Sequence, residues 1–340
     1  MKIAIQNHTQ GFHKAWIAYC EQHDIAYKLV DAYANDAIEQ IRDCDIFLWH
    51  FYQGNYKDMQ MAQPLLYSLE AMGKKVFPDF HTCWHFDNKV AQKYLLEAIG
   101  APLVPTYVYY TKEEALKGIS EMTFPKVFKL KGGAGASNVR LAKTEKEARR
   151  LVNQAFGKGF SQYSVKSHFK DALRRYRQGK NTLRDVLRPF FYALKPYPTE
   201  FAHYHGREIG YVYFQDYIPM NTTDFRVKVV GGNCWAFQRK VRKNDFRASG
   251  SGELLFNKDS ISMEIVKIAQ DVAKKLSLQS VAFDFVQDKI NNKFLLVEMS
   301  YGFGFDEEET THGYWDADRV FHSEKFNPFQ WMIEEVMEAR

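Results

Sequence analysis

282-AFDFVQDKINNKFLLVEMSYGFG-304 places two acids, Asp284 and Glu298, inside otherwise apolar runs. Both runs alternate with the period of a β-strand, in which residues two apart share a face. Asp284 then shares a face with Ala282 and Val286, and Glu298 shares one with Leu296 and Phe294. The polar stretch 288–293 reads as the turn, and a hairpin symmetric about Asn291 sets Asp284 directly opposite Glu298. Like charges facing across a ladder repel. Bound Mg2+ or Mn2+ removes that penalty, because hard divalent cations take carboxylate oxygens and bridge them to nucleotide phosphates. Two acids on a solvated strand face are the plain alternative.

Working outward, the chain has 340 residues, enough for two or three domains that each bury a core. It is 46% hydrophobic and 16% aromatic, which excludes a disordered chain, and no apolar run approaches the roughly 18 residues of a membrane span. After Met1 and Lys2 comes a short IAI and then Gln6, Asn7 and His8, too brief for a secretory core, so a cytoplasmic protein is expected. Cys20, Cys44, Cys83 and Cys234 are scattered with no C-x-x-C pair, which points to buried free thiols rather than a zinc site or a disulfide framework.

Residues 2 to 85 alternate strand and helix patterns, which implies a parallel sheet. Ligands gather beyond the carboxyl ends of such strands, and those ends carry Asn7 and His8, Trp49 and His50, then Asp79 and His81. A helix from Asp87 to Ile99 stops at Gly100, and Pro102 and Pro105 lead into the next strand. In 124-FPKVFKLKGGAGASNVRLAKTEKEA-148, a strand ending at Lys129 runs into a loop of Gly132, Gly133, Ala134, Gly135, Ala136 and Ser137. A second strand and a helix capped by Thr144 follow. Backbone N–H groups of such a loop wrap phosphate oxygens, although by itself it reads equally as a flexible hairpin. It is neither a Walker A loop nor a G-x-G-x-x-G helix opener.

The net charge of +5 is uneven: residues 158 to 195 carry ten Lys or Arg against two Asp, a block that attracts anions such as nucleic acid, phospholipid headgroups or an acidic glycan. From Tyr211 the strand pattern returns, and Asp224, Arg226, Lys228, Arg239, Arg242 and Arg247 recur within strands and an adjoining loop. Alternation puts Asp224, Arg226 and Lys228 on one face. A cationic face opposite an acidic hairpin is what phosphoryl transfer requires, whereas surface salt bridging is the ordinary role of an isolated arginine.

From about Asp87 to Phe305 the sequence resembles the ATP-grasp superfamily, in particular the branch of the ribosomal-protein glutamate ligases, and more distantly the D-alanyl-D-alanine ligases. The resemblance implies an α/β chain, α+β in its C-terminal part, with an N-terminal Rossmann-like domain at 1–85 and a two-lobed ATP-grasp domain at 86–312. Within the latter, a nucleotide lid lies at about 105–215, a basic helical insertion at about 157–200 and a catalytic part at about 216–312. An aromatic tail occupies 313–340 and is read as packing over the site or a partner.

By the same resemblance, Lys89 and Lys129 are phosphate-binding lysines and the loop with Gly133, Gly135 and Ser137 is a phosphate lid. Gln215, Asp216, Tyr217 and Ile218 read adenine, and Asp224 adjoins the nucleotide. Arg239 and Arg247, with Arg226, are the catalytic cations. Asp284, Glu298 and Ser300 are the metal ligands, Ser300 standing where the family usually has an Asn. The expected activity is ATP-dependent joining of a carboxylate to an amine through an acyl phosphate, with Mg2+ or Mn2+. The substrates would be small molecules, one a sugar acid or glycan-linked acid on account of the His and Trp at the sheet ends. Two other classes stand beside it: an ATP-binding scaffold or sensor without turnover, whose basic insertion docks on an anionic glycan, membrane or nucleic acid, and a nucleic-acid-binding protein.

Overall fold

The computed structural model describes every residue except 9–10, 133–137, 162–164, 166–168, 170–171, 174–175, 178, 180, 194–199, 242–252 and 339–340. Gly133, Gly135, Ser137, Arg242 and Arg247 therefore lie outside the described residues, as do Lys166, Lys170, Arg174, Arg175, Lys180 and Lys195 of the basic stretch.

Short apolar runs near the N-terminus form β1 (Lys2–Gln6), β2 (Ala26–Val30), β3 (Ile46–Leu48) and β4 (Lys75–Phe77), a parallel sheet in the order β2-β1-β3-β4. Parallel neighbours need crossovers, which the helices His13–Gln22, Ala37–Ile41 and Tyr56–Ala71 supply. Because both faces of such a sheet are covered, β1 and β3 are apolar without alternation, and Ile3, Ala4, Ile5, Phe47 and Leu48 have no exposed surface.

The chain divides into two compact units, one of Met1–Val104 with Ile218–Arg340 and one of Pro105–Tyr217. In the second unit the strands are β5 (Thr106–Tyr109), β6 (Lys126–Lys129), β7 (Val139–Ala142), the short pair β8 (Phe160–Ser161) and β9 (Arg207–Glu208), and β10 (Val212–Asp216). Four of them make an antiparallel sheet in the order β5-β10-β6-β7. Thr111 and Thr144 start helices Lys112–Glu121 and Glu145–Ala155, their hydroxyls accepting from the N–H groups of Glu114 (3.2 Å) and Glu147 (3.3 Å). These helices pack Ala115, Ile119, Ala148 and Val152 on Phe128 and Phe214.

The first unit continues with β11 (Thr223–Val230), β12 (Asn233–Lys240), β13 (Leu254–Leu255), β14 (Ser280–Asp288), β15 (Lys293–Ser300), β16 (Tyr314–Trp315) and β17 (Phe321–His322). They form a sheet in the order β15-β14-β11-β12-β16-β17, with β13 beside β12. One face packs Val227, Val229, Phe283 and Phe285 on Ile265, Val266 and Ala269 of helix Met263–Lys275. On the other, Trp235, Phe237 and Ala282 join a core with Ile3, Ile5 and Trp16 of the N-terminal part. Met332, Ile333 and Val336 of helix Pro328–Glu338 complete that core, so the aromatic tail is built into this unit. Cys20, Cys44, Cys83 and Cys234 are buried and unpaired. Among the described residues no helix is long and apolar enough to cross a membrane.

The acidic hairpin differs instructively from a hairpin symmetric about Asn291. Asp288 pairs with Lys293 and Phe285 with Leu296, which centres the turn one half-residue earlier. Val297 is then skipped, and beyond this bulge Asp284 pairs with Glu298 and Ala282 with Ser300. The extra residue also corrects the face of Glu298. Leu296 and Met299 both enter the core under helix Met263–Lys275, three positions apart, so Glu298 lies on the opposite face from Phe294 and Leu296, beside Asp284.

Candidate active site

Alternation along β11 and β12 sends Asp224, Arg226 and Lys228, and across from them Trp235, Phe237 and Arg239, to the face away from helix Met263–Lys275. β14 adds Asp284, whose direct neighbour on β11 is Arg226. Four charges result, two acids and two guanidinium groups. Arg226 holds Asp284 in a bidentate pair, Nε donating to Oδ1 at 2.7 Å and Nη2 to Oδ2 at 2.8 Å. Arg239 Nη2 lies 2.9 Å from the same Oδ2. Arg239 also grips Asp224, Nε donating to Oδ1 at 2.8 Å and Nη2 to Oδ2 at 2.5 Å.

Burial by itself raises a carboxyl pKa, yet the attraction and hydrogen bonds of Arg226 and Arg239 hold Asp284 well below the usual carboxylate range. Asp224 is pushed up to about 6, because its burial outweighs the pull of Arg239 and the charge of Asp284 opposes a second carboxylate.

Glu298 is placed differently. Its side chain is 36% exposed, and Lys89 Nζ stands 3.9 Å from Oε2. Lys89 opens helix Lys89–Ala98, capped by the Asn88 side chain, which accepts from Ala91 N–H at 3.1 Å. Lys228 is not a free cation on this face. Its Nζ donates to Glu309 Oε2 at 2.5 Å and to the Gly304 carbonyl at 2.8 Å, and Trp235 Nε1 donates to the same Glu309 oxygen at 2.8 Å. Burial pushes Lys228 down to about 8, opposed by Glu309.

In the second unit, buried Lys129 donates to Gln215 Oε1 at 2.7 Å, and Lys126 is ion-paired with Asp216 while lying 4.9 Å from the centre of the Tyr107 ring. Tyr217 ends this unit and Ile218 begins the return to the first. Of the strand-end residues singled out in the sequence, His50 borders a cavity and Asp79 is a helix cap, accepting from Thr82 N–H at 2.7 Å.

A hard divalent cation needs oxygen ligands. Asp284 already accepts two N–H bonds from Arg226, one on each oxygen, and has Arg239 Nη2 2.9 Å from Oδ2, so Oδ1 is the less occupied oxygen. Glu298 and Ser300 stand on the same face, Ser300 opposite Ala282. This all-oxygen set fits Mg2+ or Mn2+ that completes its shell with phosphate oxygens and water. It is not an all-protein cage: among the described residues no group of three His, Cys, Asp or Glu could hold a metal.

The structure is similar to N5-carboxyaminoimidazole ribonucleotide synthetase from Thermotoga maritima, with 14% identity and a TM-score of 0.61 over 100% of this chain and 76% of that one. It is similar also to D-alanine–D-alanine ligase from Bacillus anthracis, at 12% identity and a TM-score of 0.59 over 99% and 96%. An ATP-grasp RimK domain protein from Sphaerobacter thermophilus gives 14% identity and a TM-score of 0.54 over 90% and 92%. The chain has the ATP-grasp fold. At these identities the likeness is one of fold. No family model matches the sequence, and no curated protein does.

Within the ATP-grasp fold, sequence reasoning missed Glu309 and Lys126. Asp306 and Glu309 form a capping box at the turn Glu307–Thr311, a D-x-x-E signal legible in the sequence, but nothing local pairs Glu309 with a strand residue 81 positions earlier.

Proposed function

We propose that the chain is an ATP-dependent ligase that activates a substrate carboxylate as an acyl phosphate and transfers the acyl group to an amine. The single observation that carries this reading is Glu298 and Asp284 side by side on one face of an antiparallel sheet, flanked by Arg226, Arg239 and Lys89, in a chain with the ATP-grasp fold. The neighbours include a ligase and a synthetase by name, which supports the same class.

On this reading Lys89 and Lys129 neutralise phosphate oxygens as point charges. The backbone and side chains of Gln215, Asp216, Tyr217 and Ile218 receive the base, with Asp224 adjoining the nucleotide. Glu298 and Ser300, with the less occupied oxygen of Asp284, would hold Mg2+, which supplies charge neutralisation at the phosphates when bound. Arg226, Arg239 and Arg247 face negative charge that develops on the carboxylate and the transferring phosphoryl group. The attacking carboxylate oxygen bonds to the γ-phosphorus as ADP leaves; the amine then displaces phosphate from the carbonyl carbon and loses a proton. No protein nucleophile takes part.

Calorimetric titration of Mg-ATP into wild type and Glu298→Gln, followed by an ADP-release assay with a panel of carboxylates and amines, tests the proposal. Metal-dependent binding that Glu298→Gln weakens at least tenfold is expected, with ADP release that needs both substrates. No Mg-ATP binding by the wild type would refute it, and binding with no turnover on any carboxylate would move the chain to the scaffold reading, for which Ser300 in place of an amide speaks.

A further inference from the structure

In a parallel sheet of order β2-β1-β3-β4 the chain leaves β1 in one direction for β2 and later passes to its other side for β3. The carboxyl ends of β1 and β3 therefore frame a topological switch point, where open α/β sheets leave a crevice for ligands. A cavity of about 410 Å³ lies there, bordered by Gly11 and Phe12 after β1 and by His50, Tyr52 and Gln53 after β3. Its volume is in the range of small-molecule sites, about 300–1,000 Å³. The rest of its wall is the segment 302–305 and Phe329. Gly302 comes two residues after Ser300, so the cavity wall and Glu298 of β15 belong to one stretch of chain. Lys228 pins that stretch through the Gly304 carbonyl.

The wall defines the occupant. Phe12, Phe303, Phe305 and Phe329 give it four phenyl side chains, and no Asp, Glu, Lys or Arg lines it among the described residues. His50 stacks on Phe12 with ring centres 3.7 Å apart and 5° between planes, and burial pushes it down to about 3, so it is neutral near pH 7. A carboxylate or ammonium placed against these rings would lose water with no charged side chain on the wall to replace it. An uncharged ring instead packs its faces on the phenylalanines. Both ring nitrogens of His50 and Oε1 of Gln53 are shut from solvent with no hydrogen-bond partner among the described residues. Buried polar groups are seldom left so; because these atoms are closed to water, a ring-edge hydroxyl would meet them only after the His50 or Gln53 side chain turns.

We propose that this cavity takes the uncharged ring of a ring-bearing carboxylic acid, with the carboxylate projecting out of it. This rests on the ligase reading for calling the ligand a carboxylic acid; the preference for a ring rests on the cavity alone. An aryl ring with a polar substituent and a pyranose ring share this chemistry. Small acyclic acids do not.

The test is a direct binding measurement on the full chain, by ligand-observed NMR and calorimetry, with and without a non-hydrolysable ATP analogue. The probes are 4-hydroxyphenylacetate, methyl β-D-glucopyranosiduronate and, as the acyclic control, propionate. A Cβ at Gly304 meets no atom within 4 Å and the residue is not in the left-handed region, so Gly304→Leu fills open space without strain. Gln53→Leu removes an unpartnered acceptor and leaves the backbone alone. At least one ring acid should bind at least tenfold more tightly than propionate, and both variants should weaken it at least threefold while unfolding within a few degrees of the wild type. Which ring acid binds identifies the source. Propionate binding as well as either ring acid, no ring acid binding in either condition, or full retention in both variants would overturn the proposal. Failure of the wild type to bind Mg-ATP would sink the ligase reading while leaving ring binding, measured without nucleotide, standing or falling by itself.

Discussion

Asp284→Asn is expected to destabilise the first unit by about 3–5 kcal/mol, whereas Glu298→Gln, the equivalent change on its cross-strand partner, stays within about 1 kcal/mol of wild type. The contrast comes from the surroundings. The Asp284 side chain is 7% exposed, accepts two charge-assisted hydrogen bonds at 2.7 and 2.8 Å from Arg226, and is ion-paired with Arg239 at 2.9 Å. With Asp224 it balances the two guanidinium groups. The substituted amide would keep the shape but not the charge, leaving a net positive charge beside a 6%-exposed Arg239. Hydrogen bonds to charged groups contribute about 1.5–3 kcal/mol each, and a broken buried ion pair costs about 3–5 kcal/mol in all. Among the described residues Glu298 has only the Lys89 ion-pair contact at 3.9 Å, and a third of its side chain is in water. Urea unfolding followed by tryptophan fluorescence, with far-UV circular dichroism to check for one transition, measures both variants. A loss below about 1 kcal/mol for Asp284→Asn would show that the arginines do not hold this acid, and the assignment of Glu298 as the principal cation ligand would fall with it.

Two further outcomes follow from buried charges elsewhere. Lys228→Met strands Glu309, which is 4% exposed, and should cost about 3–5 kcal/mol; adding Glu309→Gln should recover at least half in urea unfolding, and simple additivity of the two losses would refute the pairing. Burial lowers His50 to about 3 and His85 to about 4, below the ordinary histidine value near 6.5. The unfolded chain then binds more protons than the folded one below about pH 6.5, so stability is full above that pH and falls as pH drops through it. Each histidine should remove about 2 kcal/mol between pH 7 and pH 5, partly offset by Asp224, whose raised carboxyl binds protons in the folded state over the same range, so His85→Phe should flatten the fall of stability with pH; an unchanged slope would refute it.

Much of this molecule was legible in local pattern. Apolar runs at β1, β3 and β4, the stop at Gly100, and the Thr144 cap each follow from side-chain chemistry acting within a few residues, and the structure carries them. So does the pairing of Asp284 with Glu298. Yet that pairing rests on two features that strict alternation does not contain, a turn centred half a residue earlier and a bulge at Val297. A period of two has no means of announcing an inserted residue, because the insertion is favoured by packing: Leu296 and Met299 must both reach the core beneath the sheet.

The sequence by itself determined the β-α-β alternation, the strand faces of β11 and β12, and the kinds of charged side chain gathered on one sheet face. Tertiary structure alone decided what each charge does. Arg239 and Lys228 read alike along the chain, but one joins Arg226 around Asp284 and the other is withdrawn into a buried pair with Glu309. It also decided that His50 and Phe303, far apart in the sequence, border one uncharged cavity. The physical reason is range. Backbone periodicity and capping act over a few residues and are written locally, whereas ion pairing and desolvation depend on which distant groups the fold brings within a few ångströms.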